Sequence, residues 1–403
     1  MKKLTLAILV FMAMIPVLLP QSSENWRGPG RMGIYNESGL LQEWPAGGPE
    51  MLWAYEGLGK GFTSPVIADG RIYITGMEGE TGFLYVISMD GKPERKYPYG
   101  PEFHQSYPGS RSTPAVVDDM VYIVSGHGVL VCMDKNNGDI KWRRDLFNDF
   151  DGRNIRWGFT ENLLVDGDRI YCTPGGKKYN LVALNRHNGE LIWASEGSGR
   201  LSAYCSPLLV NHYGKSMLIT MMERHIVGLD ALSGRVLWSH PYANNRNIHP
   251  NTPIYHQGSI FAFSGYGMGG IKLKLNSVGD AVAQEWFSDD LDNQMGGTVL
   301  VDGFIYGSGD RNRFWFCVDW ETGKTVYSAR DFAKGTVIYA DGRLYCYTER
   351  GELVLVEPAA DRFIVRGQAD VTLGSEQHWA HPVIGNGVLY IRHGNALMAY
   401  KIR

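Results

Sequence analysis

The chain has 403 residues, including 50 glycines, 22 tyrosines and 11 tryptophans, and a formal net charge of −3 at pH 7. Abundant glycine for tight turns, with aromatic bulk and few helical periods, suits an all-β protein. The near-neutral balance supplies no overall field for a phosphate backbone and so excludes nucleic acid as the expected partner.

The N-terminus carries Lys2 and Lys3 and then an apolar run from Leu4 to Leu19, broken by Thr5 and Pro16 and followed by polar Gln21-Ser22-Ser23. This is the layout of a secretory signal over residues 1–21, which places the mature protein in the periplasm or outside the cell, without a transmembrane segment and as a monomer. No cysteine ends the run, so no lipid attachment is expected. Residues 22–50, with Trp26-Arg27-Gly28-Pro29-Gly30, read as an extension lying along the body of the protein.

From residue 51 onward the chain repeats. Aligned on a proline or its substitute, eight registers appear at Pro65, Pro114, Asn162, Pro207, Pro253, Thr298, Val337 and Pro382. After most of them comes a short apolar strand and an Asp-Gly turn or a relative of it, as at Asp69-Gly70, Asp302-Gly303 and Asn386-Gly387, a hairpin signal. A second strand rich in Tyr, Ile and Val follows, then a third ending in Asp or Asn. The fourth begins at a glycine four residues on, as in Asp134 to Gly138, Asn185 to Gly189 and Asp230 to Gly234, with Trp142, Trp193 and Trp238 four residues later. The aromatic residue is expected to wedge between neighbouring repeats.

Four antiparallel strands per repeat of about 40–50 residues define propeller blades. The predicted fold is therefore an eight-bladed β-propeller over residues 51–403. The last repeat contains only three strands, and an orphan strand at 51–55 carries the Trp of a fourth, so the N-terminal strand should complete the last blade and close the ring. Cys132 and Cys317 occupy equivalent positions in different blades, as do Cys172 and Cys346, and Cys205 stands alone. All five are expected to be free.

The Ser-Pro strand, the Asp-Gly turn and the Asp-x-x-x-Gly-x-x-x-Trp outer strand together resemble the repeat of the quinoprotein (pyrroloquinoline quinone, PQQ) propellers, which is shared with BamB-type outer-membrane assembly lipoproteins. Residues 109–114, 173–176 and 379–382 are similar to segments of exported PQQ-like propellers of Gram-negative bacteria. The quinoprotein resemblance would imply PQQ and calcium, held by carboxylate and amide ligands, and in many members a pair of adjacent cysteines under the quinone. This chain has no adjacent cysteines and no haem-binding Cys-x-x-Cys-His. No cofactor is therefore expected, and PQQ with calcium lacks support from the ligand residues.

In an antiparallel blade the second-to-third turns and the interblade connections share one face. Here those loops are the long ones, including residues 90–110, 143–158 and 239–251, and long loops on a rigid scaffold are where binding residues gather. At the channel mouth on that face, the positions just before each register residue form rings that include Arg111, Tyr204, Lys334 and Trp379 in one and Glu161 and His381 in the next, with Asn251 ending the 239–251 loop. Arg111 and Lys334 are expected to reach one anion together, Trp379 to stack on it and Tyr204 to supply a hydroxyl. The resulting expectation is an exported, non-catalytic propeller that binds a protein, carbohydrate or small-molecule ligand there. The rival readings are a PQQ-dependent oxidoreductase and a lyase-type carbohydrate-active enzyme, the latter using His381 or Tyr204 as base with Arg111 neutralising a uronate.

Overall fold

A computed structural model describes residues 26–403; the signal expected over residues 1–21 lies outside the described residues. The strands form eight four-stranded antiparallel sheets, one of them carrying a fifth, two-residue strand, arranged as an eight-bladed propeller. Blade 1 contains Val66–Ala68, Arg71–Glu78, Thr81–Ser88 and Pro93–Pro101 from the channel outward. The innermost strands of blades 2 to 8 are Ala115–Val117, Leu164–Asp166, Leu208–His212, Ile254–His256, Val299–Val301, Gly335–Ala340 and Val383–Gly385.

The repeat motif acts between blades as well as within them. Asp134 Oδ1 accepts the Asn136 N–H at 2.9 Å and closes its own turn, while Asp69 and Gly70 take φ of 48° and 68°, as a two-residue hairpin turn with the twist of its strands requires. The outer-strand tryptophan then reaches the following blade. The indole N–H groups of Trp53, Trp142, Trp193 and Trp286 donate to the carbonyls of Met89, Arg186, Ala231 and Trp320 at 2.9–3.1 Å. Each of these rings lies against the turn glycine of that next blade, Gly91, Gly189, Gly234 or Gly323, where an added Cβ would come within 2.4–2.7 Å of the indole. Aspartate, glycine and tryptophan are thus parts of one interblade joint, and the spacing between them is what the joint needs.

Ring closure follows the expected route, with Met51–Tyr55 pairing antiparallel to Ala396–Lys401 as the outer strand of blade 8. All five cysteines are free and buried.

The extension takes a different course from the one expected. Instead of lying along the body, it runs down the central channel. Trp26 packs edge-on against His381 at the mouth, and Ile34 and Tyr35 add a short parallel strand to the inner edge of blade 7, opposite Tyr339 and Ala340. On the far side, the Leu40 N–H donates to Asp341 Oδ2 at 2.8 Å, the Leu41 N–H to the Ile402 carbonyl at 2.7 Å and the Trp44 N–H to the Arg366 carbonyl at 2.9 Å. From there the chain turns outward to become the closing strand.

The physical reason lies in two buried arginines. The inner strands end at the channel with carbonyls that have no ladder partner, and such acceptors need donors. Arg27 Nη2 donates to the Thr298 carbonyl at 2.7 Å, and Arg31 donates to the carbonyls of Asn162, Leu163 and Pro207 at 2.5–3.1 Å. The extension therefore spans the channel from blade 6 to blades 3 and 4.

Candidate functional site

Above the threaded segment the channel opens into a cavity of about 260 Å³ on the loop-rich face. Trp379 is flanked by Phe62 and Tyr107, with ring centroids 5.2 and 5.0 Å away. Across the bowl stand Trp157 and Tyr204, 6.3 Å apart, with Tyr266 beside them. Trp26 and His381 lie at its inner end, and the lining contains no aspartate or glutamate. Phe62, Tyr107, Trp157, Tyr204 and Trp379 come from the loops entering five blades, Tyr266 from the turn within a sixth and Trp26 from the extension, so the ring geometry assembles what the sequence scatters.

Four of the seven expected site residues line this cavity: Arg111, Tyr204, Trp379 and His381. Arg111 is held by its own loops. Its guanidinium donates to the carbonyls of Gly109 and Ser106 at 3.3 and 3.2 Å and also to those of Tyr107 and Trp157, and it lies over the Phe103 ring. Burial lowers its pKa. Tyr204 has φ of +68°, a left-handed conformation imposed by the loop. Its hydroxyl accepts the Trp157 N–H at 2.9 Å, and burial pushes its pKa up to about 12, so it stays a phenol at neutral pH.

His381 has no free nitrogen. Nε2 faces the Met295 carbonyl at 3.0 Å and therefore carries the proton, while Nδ1 accepts from Arg27 Nη1 at 2.9 Å. Burial, then the Arg27 charge, hold its pKa well below the usual imidazole value. A base needs an accessible lone pair, and the threaded segment covers this one.

The other three expected residues do not meet in the cavity. Lys334 sits in an adjoining crevice, paired with Asp310 at 2.6 Å and Glu349 at 3.3 Å, so the structure does not bring it to a common point with Arg111. Asn251 is a buried brace whose amide donates to the Asn293 carbonyl at 2.9 Å and accepts from the Gly297 N–H at 3.2 Å.

Glu161 is fully buried. Its Oε2 accepts from the Thr173 N–H at 3.0 Å and the Thr173 hydroxyl at 2.5 Å, while Oε1 has no partner among the described residues. Burial raises its pKa to about 7, against the opposing pull of Thr173 and Arg31. A carboxyl raised on folding contributes stability that is complete below about pH 4.5 and is lost as pH rises through about 7. Glu161→Gln keeps an acceptor for Thr173 without the charge. The stability difference between variant and parent, read from urea midpoints, should move in the variant's favour by up to roughly 3 kcal/mol between pH 5 and pH 8. A difference that stays constant with pH would show that Glu161 titrates normally.

Of the lining residues not singled out from sequence, Tyr107, Trp157 and Tyr266 lie in loops whose length marked the face, but no periodicity fixes which loop side chains turn inward. Trp26 was visible as part of an unusual segment whose path only the channel contacts define.

Fold and cavity together define an eight-bladed propeller with quinoprotein-type repeats, a filled channel and an aromatic mouth. The family model for the outer membrane protein assembly factor BamB matches residues 100–329, more than half of the chain. The protein belongs to this BamB family of PQQ-like propellers. Among curated relatives, BamB of Shewanella oneidensis is 23% identical over 224 residues, which is 54% of this chain and 52% of the relative. BamB of Kangiella koreensis is 36% identical over 86 residues, 21% of this chain and 19% of the relative. The matches thus span about half or less of the curated relatives' length. Among solved structures, BamB from Moraxella catarrhalis superposes with a TM-score of 0.62 at 12% identity, covering 88% of this chain and 100% of that one. Quinohemoprotein alcohol dehydrogenase from Comamonas testosteroni gives 0.66 at 12% identity, covering 94% and 80%. At such identities the structures speak for the fold alone.

Proposed function

We propose that this protein is an exported, non-catalytic binding scaffold that receives its partner at the aromatic mouth. The observation that carries this reading is the contrast within the cavity: its wall is a set of half-buried rings, whereas His381 and Glu161 are engaged inside the protein and Tyr204 is held as a neutral phenol. Rigid aromatic side chains around a concavity are the usual anchors of recognition. The name of the family, outer membrane protein assembly factor, favours a role in the cell envelope, in keeping with the secretory layout of the N-terminus.

The residues do not fit a calcium-bound quinone. Calcium needs several oxygen ligands that include ionised carboxylates, yet the single carboxylate ring position, Glu161, is buried and raised toward neutrality, and the Asn251 amide is used by the backbone. Among the described residues no group of three or more His, Cys, Asp or Glu side chains could hold a metal. PQQ with calcium is expected neither to raise the melting temperature nor to confer dye reduction.

The direct test uses Trp379→Ala, since Trp379 is half-buried and lies between two other rings. Capture of the native partner from envelope extract, compared between parent and variant, should fall by about tenfold or more, as for loss of an aromatic anchor, with the melting temperature little changed. Unaltered capture together with a large loss of stability would make Trp379 a packing residue and overturn the reading.

A further inference from the structure

The cavity's hydrogen-bonding groups are one-sided. Its nearby carbonyls at Tyr107, Ser106 and Trp157 are taken by Arg111 and that of Met295 faces His381, Gln294 Oε1 accepts from Lys334, and no carboxylate lines the wall. Donors remain. The hydroxyls of Tyr204 and Tyr266 each accept an N–H and keep their own protons unengaged, and the indole N–H groups of Trp157 and Trp379 have no acceptor among the described residues. A ligand that fits must bring acceptors and few donors.

Charge beside the cavity points the same way. Arg153 and Arg156 lie on the loop entering blade 3, Lys177 and Lys178 on the loop within it, Arg200 on the loop entering blade 4, Arg224 on the turn within it and Arg246 on the loop beyond. All are exposed, and none forms an ion pair among the described residues. These are successive mouth-face loops and they touch one another: the Glu223 N–H donates to the Leu201 carbonyl, that of Tyr242 to Arg224 and that of His249 to Ala203. The arc meets the cavity where Arg156 lies over the Trp157 ring at 4.8 Å. On the other side of the mouth Lys60 and Lys334 are paired with Glu376 and Asp310, whereas Arg311, Arg313, Arg330 and Arg350 on the loops of blades 6 and 7 are exposed and, like the arc, without an ion pair among the described residues; the arc over blades 3 and 4 is the one that reaches the aromatic bowl, through Arg156. The chain as a whole is net negative, so the unpaired arc is a local feature.

From this geometry we infer that the mouth binds an acidic oligosaccharide, with one sugar ring in the aromatic bowl and the neighbouring acid groups on the arc over blades 3 and 4. This rests on the mouth being the binding site. Sugar acids offer ring faces for stacking and an excess of acceptor oxygens, whereas a peptide backbone adds a donor at every residue to a wall that has no carboxylate and whose nearby carbonyls at Ser106, Tyr107 and Trp157 already accept from Arg111.

The test is calorimetric titration of the mature protein with oligogalacturonate and with a sulfated glycosaminoglycan oligosaccharide, using neutral malto-oligosaccharide and oligoglutamate as comparators. At least one acidic sugar should bind at least about tenfold more tightly than either comparator, and more weakly as salt rises. Replacing Arg153, Arg156, Lys177 and Lys178 together by Gln should weaken it by about tenfold, since exposed ion pairs contribute roughly a factor of two each, and should flatten the salt dependence. Trp379→Ala should weaken it without altering the salt slope. Oligoglutamate or the neutral sugar binding as well as the acidic sugars, or the four-Gln variant binding like the parent, overturns the inference. Failure of both acidic sugars to bind, with partner capture still lost in Trp379→Ala, overturns the sugar-acid class and leaves the mouth as the site; acidic-sugar binding that survives both variants overturns both.

Discussion

Deleting residues 22–36 should lower stability by about 4 kcal/mol or more, although the deletion leaves every four-stranded blade complete. The reason is the pair of buried arginines. Arg27 and Arg31 are only 4% and 6% exposed, and between them they satisfy carbonyls of Asn162, Leu163, Pro207 and Thr298 that face the channel. Hydrogen bonds to charged donors contribute roughly 1.5–3 kcal/mol each, and buried acceptors left without donors carry a desolvation penalty. His381 would also lose the donor to Nδ1. Extending the deletion to residues 22–56 should cost more still, because the Ala396–Lys401 edge loses its partner strand. Thermal unfolding of the two deletions, with Arg27→Ala and Arg31→Ala alongside, separates the plug from the closing strand. A parent-like melting temperature for the shorter deletion would mean that water replaces the segment without penalty.

Arg392→Met should also destabilise strongly, by roughly 3 kcal/mol. Arg392 stands on the second strand of blade 8 and is 1% exposed. It donates to the Thr75 carbonyl at 2.6 Å, to the Thr63 hydroxyl and to the Gly394 carbonyl at 2.9 Å. Two of these partners belong to the other side of the seam where the first and last blades meet. Methionine preserves much of the volume but leaves those acceptors dry. Pairing the substitution with Thr63→Val should reveal a coupling of about 1 kcal/mol or more; additive effects would place the role of Arg392 elsewhere than the seam. The inner ends of the seam and of the channel are thus held by the same device, an arginine without a carboxylate partner whose donors serve backbone carbonyls.

These arginines mark the boundary between what the chain's local pattern reveals and what it does not. The eight blades, their four strands and the closing strand at Met51–Tyr55 were legible because each depends on near neighbours: the turn needs Asp-Gly at its tip, the outer strand needs its glycine and tryptophan four residues apart, and a three-stranded last repeat needs one more strand. The repeat also explains the free cysteines, since equivalent positions in different blades cannot meet. Equivalence by register further brought Arg111, Tyr204, Trp379 and His381 to the mouth. Register could not reveal that Lys334 would be neutralised by Asp310 or that Glu161 would be buried against Thr173, because those partners come from loops whose side chains follow no period. Nor could it place residues 26–44, which contain no repeat. Their path is decided by unpaired carbonyls from blades distant in sequence, and those acceptors converge only once the ring has closed around the arginines that satisfy them.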